Sequence, residues 1–321
     1  MIAFALKRLL GMLAVLFAIS VIVFAIFNVI PGGDPAVRLA GRHPTPENVR
    51  QIRHDWGFDK PVYVQYGVMM RRIFVDGDLI SYQDQTEVVP TIERGIPRTL
   101  SLAIGAAVIW LTVGVAVGVI SGTRRGKLLD RLLSVAALMG ISTPIFWLGS
   151  VLLYLLSFRW HASPLASWVP AGGYSSIAHP LAWAQHLAIP WLVLSVVSIG
   201  FYARVVRASL LDASGTDYVR TARAMGLSRR RVLLRHTLRT SLIPVVSLFG
   251  LDFGAALGGT VILIEPIFGL EGVGQYAQES VTHLDLPPLM ALTLYGAFFV
   301  VLANALVDVA YAWLDPRTRS V

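Results

Sequence analysis

Residues 212–244 read DASGTDYVRTARAMGLSRRRVLLRHTLRTSLIP and lie between two stretches that are apolar enough to cross a membrane. The pattern predicts a short helix that Asp217 caps and that runs through Met225, because Gly226 supplies the backbone freedom that ends a helix. Ser228 can cap a second helix. The segment, here called the basic loop, therefore predicts two helices with a sharp bend at Gly226, an arrangement suited to docking.

The first of these helices has a face of small residues. Ala222 lies one turn after Tyr218 and four residues before Gly226. Residues at this spacing share one side of a helix. A groove of another protein is therefore expected to approach this face closely.

The basic loop has a large excess of positive charge. Nine Lys or Arg residues lie between Arg204 and Arg239, and only Asp212 and Asp217 oppose them. Loops of this composition stay on the cytoplasmic side of a membrane. Charge alone also fits a loop that only sets topology, so the bend and the spacing must distinguish the two interpretations.

The composition independently indicates an integral membrane protein. Hydrophobic residues make up 55% of the 321 residues, charged residues make up 14%, and the mean hydropathy is +0.65. Soluble domains carry about 25% charged residues. The sequence therefore predicts an all-α membrane protein with six transmembrane helices, each needing about 20 residues. These helices cover roughly residues 9–30, 100–122, 132–158, 187–210, 241–264 and 289–313.

The connections between these stretches predict the orientation. Basic residues cluster at 124–131 and 204–239, whereas the loops at 159–186 and 265–288 contain Arg159 alone. Both termini are therefore expected in the cytoplasm. The net charge of +8 then reflects topology and not nucleic-acid binding.

The spans divide the chain into three parts. Residues 1–30 are expected to form a tail and a retained first helix, because no small-residue cleavage pattern ends the apolar run. Residues 31–98 are expected to form an external subdomain. Residues 99–321 would form a five-helix transmembrane core that includes the 212–244 loop.

The 31–98 connection is too long for a passive linker and is expected to fold. Thr45 can cap a helix that begins at Pro46 and ends before Gly57, and Pro61 can open another helix. The apolar face of this other helix comprises Tyr66, Met69, Met70, Ile73 and Phe74,. The layer either covers the outer ends of the spans or serves as a platform for a partner that delivers solute.

An acid inside the fifth span is a candidate functional residue, because ionisable groups within a membrane are rare and commonly functional. Gly250, Gly254 and Gly258 form a small-residue seam suited to close helix packing. Asp252 projects away from that seam and is expected to line an internal pathway. The alternative is a structural acid whose hydrogen bonds are satisfied.

Other intramembrane signals favour packing. Asn304 and Asp308 lie four residues apart in the last span, where a local polar bridge is favoured over a transport role. The repeat of Gly114, Gly118 and Gly122 in the second span favours helix packing over a solute site.

Enzymatic chemistry has little support. Gly122, Gly126 and Lys127 are similar to a phosphate-binding loop, but their spacing is one residue short and Leu128 replaces the Ser or Thr that binds magnesium. The chain is therefore not expected to bind ATP. Its seven histidines lack metal-ligand spacing and it has no cysteine, so no metal site is expected,.

The basic loop resembles the EAA loop of ABC importer permeases, whose pattern is Glu-Ala-Ala, three residues, Gly, nine residues and an Ile-x-Leu-Pro end. Ala222, Gly226 and Leu238 match, and Arg220 and Thr221 occupy the first two places.

The dipeptide/oligopeptide subfamily matches more closely. Its loop reads Asp-Tyr-Val-Arg-Thr-Ala-Arg-Ala, then Gly-Leu-Ser, then a basic helix ending near Ile-Pro, as residues 217–244 do. In that family the loop forms coupling helices that sit in a cleft of an ATPase subunit. The resemblance implies a contact made by Tyr218, Thr221, Ala222, Ala224, Gly226 and Leu227.

The resemblance extends over essentially the whole chain. The other matching motifs are PGGDP at 31–35, DKP at 59–61, GDLIS at 77–81, RTL at 98–100, STP at 142–144 and LDPR at 314–317. Gly33 and Ile80 depart from the family pattern.

This resemblance implies a type I ABC importer permease in the bacterial inner membrane. Such a non-catalytic subunit pairs with a second homologous permease and contacts two cytoplasmic ATPases, which bind ATP and magnesium. It receives peptides from an external solute-binding protein. Nickel complexes or sugars are alternative solutes, and an ion-coupled secondary transporter using Asp252 and Asp308 is an alternative from a different class.

Overall fold

The computed structural model describes residues 2–29, 34–40, 44–159, 170 and 172–314. Over these residues the chain is helical, with an isolated antiparallel β-bridge between Ile80 and Glu87. The motif residues 31–33 and 315–317 and the side chain of Asp308 lie outside the described part, so the expectations for them stay predictions.

Fifteen α-helices are found in this described part. The N-terminal ones are α1 Ile2–Phe24, α2 Pro35–Leu39, α3 Pro46–Asp55 and α4 Val62–Arg71. Then follow α5 Val88–Thr123, α6 Leu128–Ser142, α7 Ile145–Tyr154 and α8 Pro180–Ser214. The basic loop contains α9 Asp217–Ala224, α10 Arg229–Val232 and α11 Leu238–Ser241. The last are α12 Ile243–Ala255, α13 Val261–Phe268, α14 Val273–Thr282 and α15 Leu286–Leu314.

Short π-helical turns continue several of these helices. They are Ala25–Val29, Arg72–Asp76, Leu155–Arg159, Leu233–Thr237 and Ala256–Thr260. The last of these joins α12 to α13, so the two helices form one span.

Five segments of the described chain are long and apolar enough to cross a membrane. They are Leu9–Phe27, Val88–Thr123, Pro180–Ser214, Ile243–Phe268 and Leu286–Leu306. A sixth candidate is the pair Leu128–Ser142 and Ile145–Ser157, which bends by 97°. The six stretches that the sequence predicts correspond to these five segments and the bent pair.

The third span differs from a continuous 132–158 helix. Pro144 has no N–H for the helical hydrogen-bond ladder, and its ring disfavours helical backbone at the preceding residue. Thr143 accordingly has φ −84° and ψ 124°. The break falls on the STP motif at 142–144, where the family resemblance also indicates one.

The most extensive helix pair among the described elements joins α5 and α8. Gly114, Gly118 and Gly122 of α5 all face α8. A Cβ atom at Gly118 would lie 2.6 Å from Val206 Cβ and 2.7 Å from the Ala203 carbonyl oxygen. Only glycine permits this approach, so the packing role predicted for the repeat is confirmed.

A second glycine seam joins α12 and its π turn to α15. A Cβ atom at Gly254 would lie 3.0 Å from Val300 Cα, and one at Gly258 would lie 3.5 Å from Gly296 Cα. Gly250 is buried on the same helix. The seam predicted for the fifth span therefore packs against the last helix.

The segment between the first and second spans folds into helices, as expected. Thr45 Oγ1 accepts a hydrogen bond from the Asn48 N–H at 3.3 Å and caps α3. Gly57 has a φ of +68°, which turns the chain before Pro61 and α4.

One residue of the apolar face predicted for this segment lies outside the core. Met69 is buried in a hydrophobic core that includes residues of α1, α5, α14 and α15. Tyr66, Met70 and Ile73 pack against this core. Phe74 is 69% exposed. Phe74 lies in the π turn Arg72–Asp76 and lines a surface groove together with Tyr66, Met70 and Ile73.

We expect Gly118→Ala to destabilise the protein, because the new methyl group would overlap α8. Overpacking of this kind typically costs about 1–3 kcal/mol. The thermal unfolding midpoint in mild detergent should fall clearly below that of the wild type.

Gly11→Ala is the matched control for this measurement. Gly11 lies in α1 and has no atom within 4 Å of the added Cβ position. Its unfolding midpoint should stay at or slightly above the wild-type value, since alanine favours helix more than glycine does. Equal midpoints for Gly118→Ala and wild type would contradict the proposed close contact.

Candidate coupling surface and membrane cavity

The basic loop forms two short helices with a bend, as predicted, but its caps differ in detail. Thr216 occupies the N-cap of α9, and Asp217 lies in the first turn, where its charge still favours the helix dipole,. The helix ends at Ala224, with Met225 as its C-cap. Gly226 has a φ of +79°, a conformation that side-chain-bearing residues rarely adopt,.

Ala222 does not lie on an accessible face of the loop. It is 3% exposed and packs with Val219 and Val232 in a small core, against which Leu227 also packs. The bend at Gly226 folds α10 back onto this side of α9, which buries the small residue. The expectation that a partner protein reaches Ala222 directly is therefore wrong for this arrangement.

The rest of the α9 surface is open and forms an exposed face. Tyr218 is 43% exposed, Met225 is 70% exposed, and Thr221 and Ala224 are also exposed. The Tyr218 hydroxyl donates to Thr240 Oγ1 at 3.1 Å and so ties α9 to α11. Met225 was missed from the sequence, although a methionine before the bend of a polar helix is a signal for a contact surface.

A buried carboxylate fixes the base of the spans near this loop. Arg207 donates to Asp130 through Nε at 2.8 Å and through Nη2 at 2.9 Å. The Gly126 N–H donates to Asp130 at 2.9 Å, and the Ser121 hydroxyl donates to it as well. Asp130 is 4% exposed. This cluster joins the α5–α6 turn to α8 and was not found from the sequence.

A second buried carboxylate fixes the other end of α5. Glu265, with no exposed surface, accepts hydrogen bonds from Thr99 Oγ1 at 2.6 Å and from the Gln275 N–H at 3.0 Å. Thr99 Oγ1 in turn accepts from the Val273 N–H at 2.9 Å. The two side chains satisfy free N–H groups in the first turn of α14 and attach it to α5.

Asp252 has both a partner and access to a cavity. The Tyr202 hydroxyl donates to Asp252 Oδ2 at 2.8 Å, and Tyr202 has no exposed surface. Asp252 also lines a cavity of about 450 Å³ between α5, α6, α7, α8 and α12. The hydrogen bond from Tyr202 fits the structural acid that the sequence offered as one alternative, and the lining of a pathway by Asp252 stays a prediction.

Metal chemistry has no geometric support in the described residues. No group of three or more His, Asp or Glu side chains converges there in an arrangement that could hold an ion.

The chain is similar to two families over nearly its full length. Residues 114–320 match the family of binding-protein-dependent transport system inner membrane components. Residues 1–103 match the N-terminal family of the membrane components of such systems.

Individual relatives agree with this match. A putative peptide transport system permease protein of Brucella abortus (strain 2308) is 34% identical over 320 residues, 99% of each chain. The dipeptide transport system permease protein DppB of Escherichia coli (strain K12) is also 34% identical and covers 99% of each chain.

The fold is similar to that of a solved transporter. An inward facing structure of the MetNI methionine ABC transporter aligns with a TM-score of 0.54 at 19% identity, covering 70% of this chain and 96% of that chain. At this identity the likeness concerns the fold alone. Together with the helix order, the glycine seams and the bent basic loop, these matches establish that the chain belongs to the family of binding-protein-dependent transport system inner membrane components.

Proposed function

We propose that this chain is a permease subunit of an ATP-driven importer that takes up short peptides. The observation that supports this most directly is the basic loop, a self-packed two-helix element whose exposed face includes Tyr218, Thr221 and Met225. A loop that only set topology would need positive charge but no such fold. The peptide solute is inferred from relatives that are named peptide and dipeptide permeases.

The proposed importer needs several partners. A second homologous permease would complete the translocation pathway, and an external solute-binding protein would deliver the peptide. Two cytoplasmic ATPase subunits would bind ATP and magnesium and would contact the exposed face of α9. Ala222 and Leu227 would support that face from within, because they pack in the small core behind it.

The proposed orientation places both termini and the basic loop in the cytoplasm. The excess of Arg residues in the loop supports this orientation. The 31–98 segment would then cover the outer ends of the spans.

In the proposed mechanism, closure of the ATPases displaces the basic loop, and the spans that flank it move with it. The loop shares its first residues with the end of α8 and its last residues with the start of α12. The paired Asp130 and Arg207 would transmit the movement of α8 to the α5–α6 turn. Rigid-body movement of packed helices is an established way to switch between two arrangements.

One prediction of the proposed function concerns the bend in the loop. Gly226→Pro should abolish ATP-driven uptake while the protein still inserts in the membrane. Proline requires a φ near −65°, whereas this position has +79°, and it removes the N–H that donates to the Arg223 carbonyl oxygen at 3.0 Å,. The measurement is uptake of labelled dialanine, normalised to the amount of subunit in the membrane.

Gly77→Pro is the matched control. Gly77 has a φ of +71° and equally open surroundings but lies far along the chain from the basic loop. It should keep most of the uptake. Full uptake by a well-expressed Gly226→Pro variant would contradict the coupling role of the bend.

A second prediction concerns the buried ion pair. Asp130→Asn should lower the unfolding midpoint by several degrees and reduce uptake per ATP hydrolysed, because Arg207 loses its charged partner. Asp217→Asn is the control for stability, since the pair of Asp217 with Arg220 is exposed. Such pairs contribute little to stability. A midpoint equally changed in both variants would argue against a special role for Asp130.

A third prediction concerns the energy source. Depletion of ATP should abolish dialanine uptake by cells that express the full system, and an uncoupler at constant ATP should leave it unchanged. The opposite pattern would favour the ion-coupled class. Uptake of a nickel complex or a sugar in place of dialanine would instead keep the importer and replace the solute.

A further inference from the structure

We propose that the cavity lined by Asp252 and Trp110 binds the amino-terminal end of a peptide during its passage through the membrane. Asp252 would accept hydrogen bonds from the α-ammonium group, and Trp110 would form part of the wall of the site. This inference rests on the peptide solute proposed above and adds the site and the groups that recognise it.

The cavity lies deep in the spanning part of the chain. Asp252 is about 14 Å along the helix axis from Ile243, and Trp110 is about 20 Å from Thr123, at about 1.5 Å per residue. A hydrocarbon core is about 30 Å thick. Both residues are therefore far from either end of their spans.

Asp252 gives the cavity a negative charge. It is the sole ionisable side chain among the described residues that line this space. The Tyr202 hydroxyl occupies Oδ2 and orients the carboxylate. A carboxylate has about four lone-pair sites, so one hydrogen bond from Tyr202 leaves capacity for a cationic donor. An ammonium group has the charge and the donors that this site lacks.

Trp110 forms part of the wall of the same cavity, and its side chain is 1% exposed. Its Nε1 atom is buried away from the cavity space, so the residue contributes aromatic surface and not a hydrogen bond.

The rest of the lining suits the uncharged part of a short peptide better than a hydrated inorganic cation. Thr143, Ser198 and Thr260 add hydroxyl groups to the lining, which otherwise is largely apolar. The volume of about 450 Å³ falls within the usual range for small-ligand sites, about 300–1,000 Å³,.

The test uses the assembled importer in lipid nanodiscs, with its partner permease and ATPases but without the external binding protein. Equilibrium binding of radiolabelled dialanine is compared with that of N-acetyl-dialanine, which keeps the carbonyls but has no ammonium group. The wild-type complex should bind dialanine at least about tenfold more tightly, the usual effect of a hydrogen-bonded charge.

Two variants distinguish the role of the Asp252 carboxylate from that of the aromatic wall. Asp252→Asn keeps the shape and a Tyr202 acceptor, and the preference for dialanine should fall to about one. Trp110→Phe keeps an aromatic wall and the carboxylate, so the preference for dialanine should stay as in the wild type. Asp55→Asn, at an exposed acid outside the cavity, and Trp147→Phe, at a 53% exposed tryptophan, should bind as the wild type does.

Several outcomes would overturn the inference. Equal affinity of the wild-type complex for the two ligands would do so without any variant, so the test stands even if Asp252→Asn fails to assemble. A preference retained by Asp252→Asn, or one lost by Trp110→Phe, would also exclude the site. Loss of sodium binding by Asp252→Asn, with dialanine binding intact, would assign the carboxylate to an inorganic cation.

Uptake by the complete system separates failure of the site from failure of the solute. If the wild-type importer with its binding protein transports no dialanine, the peptide proposal fails and the inference fails with it. If dialanine is transported but Asp252→Asn keeps the ammonium preference, only the site is wrong.

Discussion

The close approach of α5 and α8 positions most of the features that matter for function. Because Gly118 has no side chain, Val206 and its neighbours on α8 pack directly on the backbone of α5. Trp110 of α5 and Tyr202 of α8 are buried in the same hydrophobic core. Trp110 lines the cavity of Asp252, and the Tyr202 hydroxyl donates a hydrogen bond to the Asp252 carboxylate. Towards the basic loop, the same helix pair brings Arg207 to the α5–α6 turn. A wider separation would open the cavity and break the ion pair together.

Asp130 and Asp252 each accept a hydrogen bond from a side chain of α8, but their surroundings differ. The difference distinguishes a structural anchor from a group with capacity for a ligand. Asp130 accepts hydrogen bonds from a guanidinium, a hydroxyl and a backbone N–H, and is almost wholly buried. Its capacity is largely used, which suits a fixed connection between helices. Asp252 has one hydroxyl donor and lines an open volume. Its remaining capacity suits a ligand that arrives and leaves.

The basic loop shows how a correct motif can be misread at one residue. Its helices, the bend and the left-handed glycine follow from local rules, so Gly226 could be predicted from the sequence alone. Ala222 could not, because small residues are common both on docking faces and in tight internal contacts. The packing of Val232 from the second helix decides between these, and that contact depends on how the bend folds back.

The sequence by itself determined that the chain is a helical membrane protein, that six stretches are apolar enough to be candidate spans, and that glycine repeats mark helix contacts. These properties follow from local composition and periodicity. The break at Thr143 also follows locally, since Pro144 restricts its neighbour. Only the tertiary structure paired Asp130 with Arg207 and Asp252 with Tyr202, and placed Trp110 beside the cavity. Those pairs lie far apart along the chain, and a sequence pattern indicates which face of a helix is apolar but not which helix it meets.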